Sequence, residues 1–546
     1  MIALLSLAPA WATSDFDPTA PEAVFTGDEV KTHDGNDALW SRIDRYGDPD
    51  RELFHAEEFN AIFEWRDSEF TPHMQTLFGT STPHSSQFLL HYGLHEETSS
   101  GTPILLVHGA GDNASRPWFG MRRELEDLGR PVYAITFAHP HGEMLMQAEA
   151  VANAIAVIKA RTGASEVDLV AHSKGGLAVV AYTSNTAGTS WGDAGYEAVG
   201  TPYRGDVRRM VLAGVPLDGI DTAYRWPASN FFGLDTDAAV APVSWTAYYP
   251  FGAGTWWVEQ DLEGQDFLPE NGDPFPGQRQ LLKRQPHTLP GAQPFLGGYA
   301  LQTDWWTTYE GGFGFYSHSY GIDAAIEAGG DFVDVLASKG VDPEVEIFIL
   351  AGKNPLMPNG EESYKEVWDG IASKSQWGLL IDSINTWVTE ITTDDAELQG
   401  LADGQLVLGE VSGPSDGVLF LSSATATQNV DARGAQVVET RVVDISHTEL
   451  LLASDEMGWF MYGLAGDDPA NAWMIARGNR YLAANTTAWV AEKLADSTGA
   501  QGARGDANED ADAVGLGGIG GCDTVSSGTF GSSLLVGLLA LLGRRR

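Results

Sequence analysis

The sequence has one cysteine and a shortage of basic residues. Cys522 stands alone among 546 residues, which excludes an intramolecular disulfide and a zinc site made of cysteine ligands. The chain has only 32 lysines and arginines but 75 acidic residues, so the net charge is −43. A surface this acidic repels phosphates, and we predict no nucleic acid partner. The fold must depend on a hydrophobic core, for which 43% hydrophobic and 10% aromatic residues are ample.

Apolar runs are short, and two of them lie at the ends of the chain. Residues 1–12 end in Ala-Trp-Ala, which suits a signal peptidase, although no Lys or Arg precedes the apolar stretch. Phe530 to Leu542 is mostly apolar, follows Gly520-Gly521-Cys522 and precedes three terminal arginines. This run is shorter than the roughly 20 residues that a membrane-spanning helix needs. A segment counted from Thr524 just reaches that length.

The C-terminal arrangement resembles bacterial sorting tags built from a Gly-Cys motif, a hydrophobic stretch and an arginine cluster, which membrane proteases process. It predicts a sorting or transmembrane segment over residues 522–546, with a processing protease or the membrane as partner. With the signal peptide, it predicts an exported protein that is secreted or held at the cell surface or outer membrane. A plain C-terminal membrane anchor is the alternative.

Buried strands alternate with helical patterns from Ser86 onward. Short continuous apolar runs such as Pro103–Val107 are typical of strands buried on both faces. The predicted strands are Gln87–Tyr92, Pro103–Val107, Pro131–Phe137, Val167–Val170, Val207–Ala213, Val345–Leu350 and Val437–Val443. The predicted helices are Arg116–Leu128, Glu143–Arg161 and Gly175–Tyr182, with amphipathic segments near Ala470–Arg477 and Thr487–Leu494. This alternation predicts an α/β fold with a mostly parallel sheet flanked by helices.

A segment rich in aromatic residues interrupts the alternation. Between Asp221 and Tyr320, 21 of 100 residues are Phe, Trp or Tyr, about twice the chain average. We interpret it as a cap or lid inserted into the core, which could line an acyl pocket or touch a lipid surface. The predicted domains are a signal peptide (1–12), an N-terminal extension (13–85), a first core part (86–220), the cap (221–340), a second core part (341–496), a linker (497–521) and the C-terminal segment (522–546).

The strongest chemical signal is a serine between a predicted strand and a helix. In Val167-Asp-Leu-Val-Ala-His-Ser173-Lys-Gly-Gly176, small residues stand two positions before and after the serine. A sharp strand-to-helix turn needs small residues at those positions, because larger ones would strike the neighbouring strand and helix. The segment resembles the nucleophile elbow of the α/β-hydrolases, here in an Ala-x-Ser-x-Gly form found in some secreted bacterial lipases and esterases. A purely structural serine is the alternative.

The resemblance implies an oxyanion hole formed by two backbone N–H groups. The turn His108-Gly109-Ala110-Gly111 follows a buried strand, and by position Ala110 supplies one donor. The second donor is Lys174, the residue after the nucleophile. His108 is then a scaffold residue. Position 174 departs from the Met, His or Gln that is commoner in the family, which leaves the polarity of the pocket in doubt.

The same resemblance implies a histidine and an acid late in the chain. His447 ends a predicted strand and opens an apolar helical stretch, whereas the rival His318 lies in the aromatic segment. Asp416 stands 31 residues earlier in Gly-Pro-Ser-Asp-Gly-Val-Leu and is the predicted acid. The rival acids are Asp218 and Asp221, which follow the strand Val207–Ala213, whereas Asp444 is interpreted as a structural residue at a strand end.

These motifs predict a serine hydrolase that cleaves carboxylic esters, a lipase or esterase, through an acyl-enzyme. The substrate would be a small-molecule or lipid ester, and the reaction needs no cofactor. No EF-hand spacing appears, so a calcium site is not assigned. The alternatives are an acyltransferase or amidase with the same three residues, and a non-catalytic surface protein on a hydrolase scaffold.

Overall fold

In the computed structural model, nine strands form one twisted sheet. The described residues are 16–30, 39–48, 71–80, 83–110, 112–114, 118–140, 142–186, 202–221, 276–285, 312–313, 318–319, 321–354, 414, 416, 418–466 and 472–495. The strands are β1 Ala23–Thr26, β2 Arg42–Tyr46, β3 Phe88–Tyr92, β4 Ile104–Val107, β5 Val132–Phe137, β6 Val167–His172, β7 Val207–Ala213, β8 Gly312–Phe313, β9 His318–Ser319, β10 Glu346–Gly352 and β11 Gln436–Val443. β8 and β9 form a separate antiparallel pair.

The sheet is parallel over six of its nine strands. Its order is β1-β2-β3-β5-β4-β6-β7-β10-β11, and every pair from β5 to β11 is parallel. The pairs among β1, β2, β3 and β5 are antiparallel. The predicted mostly parallel sheet is therefore confirmed.

Helices lie between and after the parallel strands, except for the first, which precedes β3. They are α1 Thr71–Phe78, α2 Phe119–Glu126, α3 Met144–Thr162, α4 Lys174–Thr183, α5 Pro276–Arg279, α6 Gly321–Ala328, α7 Phe332–Lys339, α8 Leu421–Ala424, α9 Asp455–Ala465, α10 Ala472–Ala484 and α11 Thr486–Leu494. The ends of α3 follow from its sequence. The Glu143 carboxylate accepts the Met146 N–H at 2.8 Å, and Gly163 ends the helix with φ 73°.

The sheet separates two hydrophobic clusters, which explains the continuous apolar runs of its strands. In β4, Leu105 and Val107 belong to the cluster that includes α3 and α4, whereas Ile104 and Leu106 belong to the cluster that includes α2 and α11. All four side chains are fully buried. Each strand residue thus removes apolar surface from water on one face or the other.

The first two strands were not predicted, because β1 has only the four residues Ala-Val-Phe-Thr and β2 carries charges. β2 reads Arg-Ile-Asp-Arg-Tyr, yet Asp44 is buried. Its carboxylate accepts hydrogen bonds from Arg42 at 2.6 Å and from the Tyr92 hydroxyl at 2.8 Å. Internal pairing of this kind lets a polar segment join the sheet next to β3.

The predicted transmembrane segment is corrected by the structure. Within the described ranges, no helix has both the length and the apolar character that crossing a bilayer requires. The longest, α3, instead packs in the core beside α4. The C-terminal membrane segment and the localisation that depends on it are therefore not carried further. Residues 522–546 and the predicted signal peptide lie outside the described residues.

A buried ionic cluster at the amino end of β6 yields a stability prediction. Asp168 is fully buried, and its carboxylate accepts hydrogen bonds from Arg130 and, at 2.9 and 2.6 Å, from Arg208. Asp168→Asn leaves the guanidinium of Arg130 buried without its counter-charge, and we expect a loss of about 3 kcal/mol in the free energy of unfolding. Urea denaturation measures it.

The control is Asp323→Asn, which breaks the exposed Arg284–Asp323 pair. It should cost less than about 1 kcal/mol. Equal losses for the two variants would contradict the assignment of a buried, coupled cluster.

Candidate active site

Ser173 lies on a strained turn between β6 and α4. Its backbone has φ 51° and ψ −131°, a conformation that is rare for a residue with a side chain. The Ser173 N–H donates to the Ala213 carbonyl at 3.0 Å, and the Ser173 carbonyl accepts from Gly176 at 2.9 Å. These bonds hold the turn in place, and the serine remains partly exposed while its neighbours are buried.

The turn that carries Ala110 packs directly on this serine. A Cβ added to Gly109 would lie 2.8 Å from the Ser173 Cβ, and one added to Gly175 would collide with the His108 carbonyl. Both positions therefore require glycine for close approach. The structure thus brings Ala110 and Lys174, the two predicted donors, to the same end of the sheet as Ser173.

His108 is locked as a neutral scaffold residue. Its Nε2 accepts the Phe137 N–H at 3.1 Å, so Nδ1 carries the proton and donates to the Gly109 carbonyl at 2.8 Å. Burial lowers its pKa to about 4. Nδ1 therefore bonds within the turn, and Nε2 ties the turn to the end of β5.

His447 and Asp416 form a buried pair beyond the carboxyl ends of β11 and β10. The His447 Nδ1 lies 2.8 Å from Asp416 Oδ2, and the His447 N–H donates to the Asp416 carbonyl at 3.0 Å. Asp416 Oδ1 accepts the Val418 and Leu419 N–H groups at 3.0 and 2.7 Å. The carboxylate is thus fully oriented, and its bond to Nδ1 leaves Nε2 of His447 as the basic nitrogen.

Two close approaches place the His447 imidazole near Ser173. A Cβ added to Gly214, just after β7, would lie 3.0 Å from both Cε1 and Nδ1 of His447. The His172 ring centroid is 4.7 Å from that of His447, and His172 directly precedes Ser173. Because parallel strands end at the same edge of a sheet, residues after β6, β10 and β11 converge there.

Comparison with known proteins points to the same region. Residues 101–211, about a fifth of the chain, match the family model described as lipase (class 2). This segment runs from just before β4 into β7, so it contains the His108–Ala110 turn and the Ser173 elbow. The mostly parallel sheet, the strained serine between strand and helix, and this match together decide the fold.

The chain has the α/β-hydrolase fold.

Solved structures with partial similarity include hydrolases. The mature form of the Bacillus licheniformis lipase BlEst2 is 14% identical, covering 66% of this chain and 92% of its own, with a TM-score of 0.32. A Listeria innocua protein is 14% identical over 68% of this chain and 97% of its own, with a TM-score of 0.27. A thermostable carboxyl esterase from Bacillus coagulans is 14% identical over 54% of this chain and 82% of its own, with a TM-score of 0.23.

Within this α/β-hydrolase fold, the other aspartates considered form hydrogen bonds with residues other than His447. Asp218 accepts hydrogen bonds from Lys283 at 2.6 Å and Asn429 at 2.9 Å. The Asp221 carboxylate accepts the Gln285 backbone N–H at 2.7 Å. The Asp444 carboxylate accepts the side-chain amide of Asn354 at 3.3 Å. The side chain of His318 lies outside the described residues.

Sequence reasoning missed His172 as part of the site. Its Nε2 lies 3.2 Å from the His447 carbonyl, to which it donates. Burial, and after it the charge of His447, holds the pKa of His172 well below its ordinary value, so the ring is neutral. Its position next to the serine was the only signal, because its partner is 275 residues away.

Glu449 was also missed, although the sequence carried a signal for it. The buried Glu449 carboxylate accepts the Ser446 N–H at 3.0 Å and the Ser446 hydroxyl at 2.9 Å. It also accepts from Arg477 at 3.0 Å and Tyr481 at 3.1 Å. Ser446 and Glu449 have the spacing of a capping box, and together they fix the loop that carries His447.

No metal centre accompanies these residues in the described part of the chain. There, no group of three or more His, Cys, Asp and Glu side chains is arranged to hold an ion.

Buried neutral histidines near the site predict acid sensitivity. Burial lowers the pKa of His139 to about 4, whereas an unfolded histidine titrates near 6.5. Between these values the unfolded chain binds a proton that the native protein does not, so stability falls as the pH falls. His139→Gln should reduce the slope of unfolding free energy against pH by up to about 1.4 kcal/mol per pH unit over this range.

The measurement is urea denaturation at several pH values between 7 and 4. Exposed His95→Gln is the matched control and should leave the slope unchanged. A His139→Gln slope equal to that of the parent protein would contradict the neutral, buried state.

Proposed function

We propose that this protein is a serine hydrolase that cleaves carboxylic esters through an acyl-enzyme on Ser173. The observation that carries the proposal is the buried Asp416–His447 pair, whose imidazole packs against His172, next to the strained serine. A serine, a histidine and an oriented carboxylate at one sheet edge have the roles of nucleophile, base and orienting group. The match of residues 101–211 to class 2 lipases favours esters as substrates.

In the first step, His447 acts as the general base. Its Nδ1–H donates to Asp416, so Nε2 presents a lone pair that accepts the Ser173 hydroxyl proton as Oγ attacks the acyl carbonyl. The Asp416 carboxylate then stabilises the imidazolium. His172 is neutral beside it, so it adds no charge that would oppose protonation of His447.

Two backbone N–H groups, those of Ala110 and Lys174, receive the negative charge of the tetrahedral intermediate. Lys174 is the first residue of α4, so its N–H lies at the positive end of the helix dipole. Each donor is worth roughly 3–4 kcal/mol of transition-state stabilisation. The imidazolium returns the proton to the leaving alcohol, and water activated by His447 then hydrolyses the acyl-enzyme.

We also propose that residues 221–340 form a cap on this site. The described residues Pro276–Gln285 lie beside it, because a Cβ at Gly277 would come within 2.7 Å of the Lys174 Nζ. A cap in this place would bound the acyl pocket. Hydrolysis rates for p-nitrophenyl esters of increasing acyl length measure the length of this pocket. Preference for long acyl chains indicates a lipase, and activity confined to acetate and butyrate indicates an esterase.

Ser173→Ala removes the nucleophile, so we expect kcat for ester hydrolysis to fall at least about 10⁴-fold while the fold is retained. Steady-state kinetics and circular dichroism measure the two effects. The control is Ser184→Ala, which makes the same change just after the last residue of α4.

Ester hydrolysis that survives in Ser173→Ala would overturn the proposal. Cleavage of amides but not esters, or acyl transfer without hydrolysis, would assign the site to one of the other reaction classes.

His172→Phe keeps a ring against His447 but removes the hydrogen bond to its carbonyl. Because His447 then has a less fixed position, we expect kcat to fall about 10-fold with KM little changed. The control is His91→Phe, the same substitution at a buried histidine that bonds Thr136 at 2.8 Å. Identical kcat values for the two variants would argue against a positioning role for His172.

A further inference from the structure

The Lys174 side chain is buried and ends on two fixed acceptors. Only 1% of the residue is exposed. Its Nζ donates to the Gly142 carbonyl at 2.7 Å and to the side-chain oxygen of Gln147. A buried ammonium is stable only where such acceptors replace water, so this site is built for a charged, hydrogen-bonding side chain.

The acceptors belong to the loop and helix that follow β5. Gln147 lies in the first turn of α3, and its amide donates to the His139 carbonyl at 2.8 Å. The Gly142 N–H donates to the same carbonyl at 2.9 Å. Lys174 therefore ties the first turn of α4 to a closed hydrogen-bonded network at the start of α3.

A short helix from the middle of the predicted cap segment, α5, lies against this ammonium. A Cβ at Gly277 would lie 2.7 Å from the Lys174 Nζ and would collide with the Gly142 carbonyl. The nearby Gln280 side chain accepts the Met144 N–H and donates to Glu143, both at 2.7 Å. The contact between α5 and Lys174 therefore depends on glycine at position 277.

The same first turn of α4 lies against the oxyanion turn. Gly175 packs on the His108 carbonyl. After burial, the charge of Lys174 is among the causes that lower the pKa of His108, so the ammonium is close to that turn as well. Movement of the Lys174 side chain would thus move the peptide whose N–H faces the substrate.

We propose that the Lys174 ammonium is a positioning group that holds the Lys174 N–H in place as an oxyanion donor, by anchoring α4 to the Gly142 carbonyl and Gln147. This inference rests on the proposed function. An apolar side chain at this position would leave both acceptors buried without their donor, so the loop and the helix turn would shift apart. A displacement of about 1 Å at a reacting group can cost 10²-fold in rate.

The test compares Lys174→Met with Lys159→Met. Methionine has a similar length and no charge. Lys159 lies on α3 and binds Asp206 at 3.3 Å at a partly exposed position, so it undergoes the same change outside the network. Kinetics with a soluble p-nitrophenyl ester and inhibition by an arylboronic acid, which forms a tetrahedral adduct on the serine, are the readouts.

For Lys174→Met we expect kcat to fall 10- to 100-fold with KM within about threefold of the parent value. The inhibition constant of the boronic acid should rise by a similar factor, because the tetrahedral adduct uses the same donors. Lys159→Met should leave all three values unchanged. A merely structural role would lower the amount of folded enzyme but leave kcat per folded molecule and boronate affinity intact.

Two further variants keep the test decisive if Lys174→Met does not fold. Gln147→Leu removes one acceptor, and Gly277→Ala pushes on the ammonium from the cap side. Both variants should lower kcat and weaken boronate binding, as Lys174→Met does. Parent values in the folded variants would overturn the positioning role alone, whereas a parent enzyme that neither hydrolyses esters nor binds boronate would overturn the proposed function itself.

Discussion

The geometry of the candidate site depends on one strained turn. Ser173 has a positive φ, and the strain is balanced by close contacts that only small neighbours permit: Gly109 against its Cβ and Gly175 against the His108 carbonyl. The turn leaves the serine partly exposed and places the first residues of α4 beside the turn that carries His108 and Gly109. Every other part of the site, including the Asp416–His447 pair, is arranged around this position.

The surroundings of the turn combine fixed charges with neutral histidines. His108 and His172 lose their affinity for protons through burial, so each serves as a hydrogen-bonding scaffold. The buried Lys174 ammonium donates hydrogen bonds to the Gly142 carbonyl and the Gln147 side chain. Of His108, His172 and His447, only His447 has its Nδ1 paired with a carboxylate.

Local patterns predicted the core well, and long-range pairing explains what they missed. The β4, β6 and β7 runs are apolar because both sheet faces are buried, and the small residues around Ser173 follow from the turn itself. By contrast, β2 is polar, and its place in the sheet depends on Asp44 meeting Tyr92. The roles of His172 and of the Lys174 side chain depend on distant partners in the chain. The transmembrane prediction rested on the resemblance of the C-terminal segment to a sorting tag, and no described helix is long and apolar enough to cross a membrane.

The most direct test of the account traps the covalent intermediate. The protein is mixed with a p-nitrophenyl ester, quenched in acid during turnover, digested and examined by mass spectrometry. The account predicts an added acyl mass on the peptide that contains Ser173, and its disappearance once the ester is consumed. An acyl group on a different residue, or active turnover with no acylated peptide, would contradict it.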